Sequence, residues 1–414
     1  MAAIDVASLQ AQRWFGGKGA TIASVRTVDE LRLTGRLQLE IIEVAYAAGR
    51  APERYVLAEG IEDAEGAVAL LDLMRGGKML ATRNGTLRGE RFGSGLHSLP
   101  ARPAVRKLSA EQSNTSLVFD DLVIMKVIRK LEHGVNPELE LGAFLGKHGF
   151  LSTPPLLGAL SLQGAVVATL AVAHRFVKVD ADGWSYALGQ LRQGLSLRDD
   201  VERLGARIGE LHAALASDPV DPAFAPEPIR QEDLARWSAK LLIDLERTVA
   251  SCAASVPGLA LRQGSLQARI RRLAQLAPSG VRIRQHGDLH LGQVLRSGGQ
   301  WLIFDFEGEP ARPLAERREK HCPLKDVAGM LRSFAYASAT VDGSPERLQE
   351  SRAAFLRGYR STAAHLLPVD EAAAAVLLDS LELEKLLYEL RYEVGHRPDW
   401  VRIPARDLLA EASP

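Results

Sequence analysis

At 414 residues the chain is long enough for two or three domains. Its 51 lysines and arginines equal its 51 aspartates and glutamates, so no global field favours nucleic acid or an anionic membrane, and an anionic substrate must be met locally. An apolar fraction of 46% with 25% charged residues is that of an ordinary soluble globular protein. The opening MAAIDVASLQAQRWFGGKG carries Asp5 early and no continuous apolar core, which argues against a secretory signal. Cys252 and Cys322 match no metal or redox spacing, so a cytoplasmic location is expected.

In chain order, residues 22–91 mix strand-like runs (37–44, 54–57, 78–82, 86–92) with one helix near 66–74, a small α+β unit over residues 1–92. GSGLHSLPARP, 93–103, has the composition of a linker. A second unit over 93–179 opens with LSAEQSNTSLVFDDLVIMKVIRKL, 108–131, a polar turn between two strands. Its Gln112, Ser113, Asn114, Thr115 and Ser116 offer hydroxyl, amide and backbone donors suited to phosphate. A capped hairpin turn is the plain structural alternative. Lys126 shares a strand face with Ile124 and Ile128, an odd place for a solvated ammonium, so an anionic partner is expected. Asn136 reads as a helix N-cap with Pro137 at the first helical position. Of the acids that follow, Glu138 lies where the helix dipole already explains it, which leaves Glu140 as the expected partner of Lys126. The apolar stretch 155–173 is split by Gln163-Gly164 and reads as a buried hairpin rather than a membrane span.

From residue 180 to 414 the pattern is mostly helical, with 3.6-residue periodicity over 204–216, 234–249 and 369–394. The one β element expected there lies in QHGDLHLGQVLRSGGQWLIFDFEGEP, 285–310. Residues 294–296 and 301–304 pair through a turn centred on Gly298 and Gly299. This register sets Gln293 opposite Phe304 and beside Asp305; directly opposed residues lie roughly 5 Å apart. An amide oxygen and a carboxylate can then share one Mg²⁺, with Asp288 in the loop that leads in. Phosphoryl transfer needs metal to neutralise the phosphates and a carboxylate to orient and deprotonate the attacking hydroxyl. Asp288 is therefore the expected base, and Gln293 and Asp305 the expected metal ligands. The spacing from Asp288 to Gln293 matches the HRDxxxxN loop of protein kinases. A rival reading takes the alternating His286, Asp288 and His290 as a zinc or manganese set, but leaves the downstream acids without a role.

Beyond the hairpin, Glu307 is a candidate metal ligand or hydroxyl acceptor, and Arg312 and Lys325 are candidates for hydroxyl or phosphate contacts. A solvated mixed-charge loop is the default for most of 309–325. Asp326 is expected to cap a helix and brace the loop. On the last long helix Leu383, Leu386, Leu387, Leu390 and Val394 form the packing stripe, while Tyr388 with Tyr392 and Glu389 with Glu393 pair on its flanks. Aromatic faces and carboxylates suit a neutral sugar; core filling explains a single Tyr equally well. His290 completes the candidate sugar contacts.

RWFGGKG, SAEQSNTSLVF, VNPELE, QHGDLHLGQVL, FDFEGEPARPLAERREKHCPLKDVAGMLRSF and YELRYEVGHRPDW, in this order, resemble the aminoglycoside-phosphotransferase-like kinases and, within them, the bacterial maltokinases. The resemblance implies an α+β, bilobal protein-kinase-like fold, with a β-rich first lobe, an extra N-terminal α+β cap and a helical second lobe. It further implies ATP and Mg²⁺ as cofactors, phosphorylation of maltose at its anomeric hydroxyl for α-glucan synthesis, and possible association with trehalose synthase. Glucosamine kinases are expected to carry DFDGNP-like residues where this chain has Glu307 and Glu309. Two alternatives stay open: another sugar or amino-sugar kinase of the glucosamine or aminoglycoside type, and a regulatory nucleotide-binding pseudokinase.

Overall fold

A computed structural model describes residues 6–34, 37–47, 49–108 and 114–410. The chain divides into two compact units, one running up to Lys178 and including Arg312–Glu316, the other made of Val179–Ala311 and the residues from Arg317 onward.

The first unit is built on two sheets. One has four strands, Ile22–Arg32, Gln38–Tyr46, Glu53–Glu59 and Lys130–Leu131, in that order. The other has seven, ordered Met79–Ala81, Gly85–Arg91, Leu156–Gly164, Ala168–Arg175, Val123–Ile128, Asn114–Phe119 and Val105–Lys107, every neighbour antiparallel. The central strands are covered on both faces. Leu160 and Ala171 join the core into which the helix Ala64–Gly76 places Ala67, Leu70, Leu71 and Met74. Ala159 and Val172, which alternate to the other face, pack with Leu139 of the helix Pro137–Lys147. Burial from both sides explains why 156–175 is so uniformly apolar. No helix among the described residues is long and apolar enough to cross a membrane.

Two expectations need correction. The stretch 93–103 is no free linker: it holds the 3₁₀ turn Gly95–Ser98, and Leu96 and Leu99 enter the main core beside Leu157. Its glycine, serine and proline specify turns, which is a different property from mobility. A boundary after residue 92 also cuts through a sheet, because Gly85–Arg91 pairs along its length with Leu156–Gly164, and Arg54 and Tyr55 pair with Leu131 and Lys130. RWFGGKG packs into this same fabric. Glu53 accepts from the Tyr46 and Tyr55 hydroxyls at 2.5 Å and meets Lys130 Nζ at 2.7 Å and Arg50 Nη2 at 2.9 Å. Gly16 N donates to Tyr55 Oη at 3.1 Å, and Arg50 Nη2 reaches Gly16 O at 2.9 Å. Trp14 lies against Tyr55 and under the Arg129 guanidinium. The glycine at position 17 of this motif has a packing reason, since any Cβ there would run into the Tyr46 ring.

The second unit is mainly helical. Leu324–Thr340 runs through its middle and is buried at every position from Asp326 to Ala339, so it is covered on all sides. Gln231–Cys252, Leu259–Ala274 and Glu371–His396 share a core that includes Leu383, Leu386, Leu387 and Leu390, the stripe expected from sequence. The hairpin Val294–Ser297/Gln300–Ile303 is not alone: Ala181–Asp182 adds a third strand to it, and Glu227–Pro228 pairs with Val281–Arg282. Helices Arg198–Leu215 and Pro345–Ala363 approach closely through glycines. A Cβ on Gly358 would lie 1.9 Å from the Glu202 carbonyl oxygen, whereas one on Gly264 of another helix would meet nothing within 4 Å. Gly358→Ala should therefore destabilise by about 1–3 kcal/mol through overpacking, while Gly264→Ala should be neutral or raise stability by about 0.5–1 kcal/mol. Thermal unfolding of the two variants, at roughly 2–4 °C per kcal/mol, separates them.

Candidate active site

The hairpin closes through Gly298 and Gly299, both at positive φ, so the strands reach one residue further into the turn than the sequence implies. Val294 faces Ile303, and Phe304 N donates to Gln293 O at 3.2 Å. Asp305 then takes φ +67°, a left-handed conformation that aspartate tolerates better than most residues, directly after the strand. Its carboxylate accepts a hydrogen bond from Gln293 Nε2 at 3.0 Å. The register argument from sequence thus describes the observed pair. Turning the Gln293 amide over would present its oxygen beside the Asp305 carboxylate, a hard-oxygen set that fits Mg²⁺.

The loop before the hairpin is held by one buried carboxylate. Asp326 accepts from His286 N at 2.8 Å and Gly287 N at 2.9 Å, and His212 Nε2 lies 3.1 Å from its Oδ2. His212 Nδ1 is 2.8 Å from the Tyr359 hydroxyl. The network assigns the tautomer: His212 donates from Nε2 and accepts from Tyr359 at Nδ1. Asp326 lies in the first turn of its helix, but its oxygens go to the loop and Pro323 holds the N-cap position, so it braces without capping. Burial pushes the Asp326 carboxyl up, and the His212 hydrogen bond, the nearby imidazoles and the Gly287 amide pull it down further, for a net pKa below the ordinary 3.8. His286 Nε2 donates to Phe304 O at 2.9 Å, tying the loop to the hairpin. Gly287, at φ +84°, comes so close to Gly308 that an added Cβ would lie 3.4 Å from its Cα. That left-handed residue breaks the alternation on which a His286–Asp288–His290 metal set depends, and His290 Nδ1 is occupied by Gly292 N at 3.0 Å.

Asp288, half-buried, faces Lys385 Nζ at 3.4 Å; the same ammonium meets Glu309 Oε1 at 2.6 Å and lies over the Tyr388 ring. Burial works against the Lys385 charge, and the Asp288 and Glu309 carboxylates more than offset it, so the pKa is raised. Sequence reasoning missed Lys385, although it shares a helix face with Tyr388 and Tyr392, one and two turns on. Those tyrosines are exposed and stacked, with centroids 6.3 Å apart.

The other expected sugar contacts are not gathered there. Glu389 is bound to Arg332, 2.9 Å away, which also holds Asp407. Lys325 pairs with Glu384 at 3.2 Å. Arg312 belongs to the short segment that packs with the first unit, where Leu314 N donates to Glu132. Glu307 does stay beside the metal pair: its carboxylate lies within 4.8 Å of an Asp305 carboxylate oxygen, and its carbonyl accepts from Arg317 Nη1 at 3.0 Å at the bend through Gly308.

In the first unit Lys126, 9% exposed, meets Glu138 Oε2 at 2.9 Å. The expected partner Glu140 is thus replaced by Glu138. Glu138 shares the sheet-facing stripe of its helix with Leu141, Gly142 and Leu145, while Glu140 sits on a less buried flank. Asn136 caps as expected, accepting from Glu138 N at 2.8 Å. Burial raises the Glu138 pKa, but Lys126 and then His174, 3.3 Å away, lower it more, so the carboxylate stays charged. Gln112 and Ser113 lie outside the described residues. Asn114, Thr115 and Ser116 are strand rather than turn residues; the Thr115 hydroxyl accepts from Arg129 Nε at 2.8 Å and Ser116 pairs with Lys126 across the sheet. The buried Thr115 is no open phosphate donor.

Residues 104–365 match the model of the phosphotransferase enzyme family. The chain belongs to this family. Residues 9–76 match the maltokinase N-terminal cap domain. Among phosphotransferase relatives, a glucosamine kinase of Mycolicibacterium smegmatis is 32% identical over 328 residues, 74% of this chain and 79% of that protein. One of Streptacidiphilus jiangxiensis is 30% identical over 336 residues, 74% of each. The fold follows that of a glucosamine kinase solved in complex with glucosamine, ADP and inorganic phosphate, with a TM-score of 0.73, 23% identity and 98% of both chains covered. The protein-kinase-like α+β fold and the phosphotransferase class read from the motifs therefore stand.

Two outcomes follow from the buried charges. Glu138→Gln removes one partner of the buried Lys126–Glu138 pair and should cost about 3–5 kcal/mol, whereas Glu140→Gln, at a less buried position, should shift denaturant midpoints less. Asp326→Asn should lose at least about 1.5–3 kcal/mol at neutral pH. Because the folded pKa of Asp326 lies below the unfolded one, its contribution is complete above pH 3.8 and fades as pH falls through the folded value. Denaturation of the wild type and the variant should thus converge only at the acid end.

Proposed function

We propose that this chain is an ATP-dependent sugar kinase that phosphorylates maltose at its anomeric hydroxyl, giving maltose 1-phosphate and ADP for α-glucan synthesis. The observation that carries this reading is the chain of charges Asp288–Lys385–Glu309 beside the Gln293–Asp305 pair. Asp288 orients the sugar hydroxyl and accepts its proton as the oxygen attacks. Lys385 fixes the position of the Asp288 carboxylate through an ion pair at 3.4 Å. Gln293 and Asp305 are the residues that hold Mg²⁺, which when bound neutralises the phosphate charge. Lys126, steadied by Glu138, is the contact for the phosphates of ATP.

The acceptor site favours a neutral sugar. Glu309, 6% exposed, is already neutralised by Lys385, so an amino sugar finds this carboxylate engaged by a cation of the protein itself. The stacked Tyr388 and Tyr392 offer apolar faces suited to the C–H surfaces of glucose rings. The match of residues 9–76 to the maltokinase cap points the same way. Glucosamine is the second reading, favoured by the activity named for the relatives. A cytoplasmic role beside a trehalose synthase that hands over maltose belongs to the first reading.

An acceptor panel with ATP, read by ADP release and product NMR, decides: maltose should exceed glucosamine in kcat/KM, and the reverse order would replace the acceptor while leaving the chemistry. Asp288→Asn should lower kcat by about 10²–10⁴ with ATP binding retained; turnover near the wild-type rate would remove Asp288 from its role.

A further inference from the structure

The second unit holds a cavity of about 400 Å³ where the C-terminal end of Leu324–Thr340 meets the start of Pro345–Ala363. It is distinct from the phosphoryl-transfer residues: Ser338 in its wall lies twelve residues along the helix from Asp326, about 18 Å at the helical rise. Its floor is apolar, made by Phe334 and Leu197, which are 3% and 5% exposed. Two buried serines also line it, Ser338 at 8% and Ser351 at 7% exposure, with the exposed Ser344 a third. Neither hydroxyl of the two buried serines has a hydrogen-bond partner among the described residues. Polar groups this buried are normally paired, so two of them facing one cavity mark a place where a ligand supplies the partners. The rim carries the exposed Asp342, held at φ +51°, and Arg347, whose Nη1 is anchored on Gly194 O at 3.0 Å.

We propose that this cavity is a second ligand site for a neutral polyhydroxylated molecule of mono- or disaccharide size. The volume lies within the range of small-molecule pockets, about 300–1,000 Å³. The rim selects against net charge: an anion drawn to Arg347 meets Asp342, and a cation drawn to Asp342 meets Arg347. Sugar hydroxyls donate to the carboxylate, accept from the guanidinium and do either with the serines, while the C–H face lies on Phe334. Because Leu324–Thr340 carries a wall residue near one end and Asp326 near the other, occupancy stiffens the helix that braces the loop 285–293.

The test is hydrogen exchange on the full chain with glucose, maltose or inorganic phosphate added. Glucose or maltose should slow exchange in peptides covering 334–351. Asp342→Ala and Arg347→Ala, both at exposed positions, should raise the sugar concentration needed for half-protection by about tenfold, 1.4 kcal/mol in binding, while KM for the acceptor stays unchanged. Sugar protection that both variants leave intact, no sugar protection at 334–351, or protection by phosphate instead would each overturn the proposal. The acceptor assignment can fail without touching this result, since the readout needs no turnover.

Discussion

The carboxylate of Asp326 is the contact on which the rest of the active site depends. A loop that carries Asp288 between two glycine-rich bends has no helix or sheet ladder to satisfy its backbone, and an unpaired buried amide costs about 1–3 kcal/mol. Asp326 takes two such amides at once, from His286 and Gly287, and is itself oriented by His212 and Tyr359. The loop is thereby fixed to the most buried helix of the unit, and through His286 to the end of the hairpin. Asp288 inherits its position from these bonds.

A single ammonium then sets the electrostatics around Asp288. Lys385 sits between the Asp288 and Glu309 carboxylates, pairs with both, and offsets the repulsion between them. The helix that supplies Lys385 also supplies Tyr388 and Tyr392, and its opposite stripe is buried in the core with Leu383 and Leu387. Packing of that stripe therefore decides where the ammonium points, so remote core substitutions on this helix reach the acceptor side.

Local features were legible in the sequence. The Gly298-Gly299 turn and the apolar runs beside it fix a register, and the register alone brings Gln293 to Asp305. Asn136 and Pro137 mark the helix start for the same reason, since each acts within a few residues. Local sequence points to the right helix but to Glu140, two residues past the true partner, because the dipole alone accounts for Glu138; only the stripe that Glu138 shares with Leu141 and Leu145 turns it toward Lys126. Contacts between distant segments were not legible. Nothing near His212 announces Asp326 or Tyr359, and nothing near Glu309 announces Lys385, because these pairs exist only once helices far apart in sequence have packed.

The strands of the first unit are interleaved across the chain, so its early segment cannot be cut away cleanly. Strand Gly85–Arg91 is stitched to Leu156–Gly164, and Lys130–Leu131 is stitched back to Glu53–Glu59. Trimming the chain ahead of residue 93 would strip a neighbour from Leu156–Gly164 and bare a long hydrophobic edge prone to aggregation. The N-terminal segment is consequently part of the sheet that carries the later strands, and its removal would unpair them rather than release a free-standing accessory.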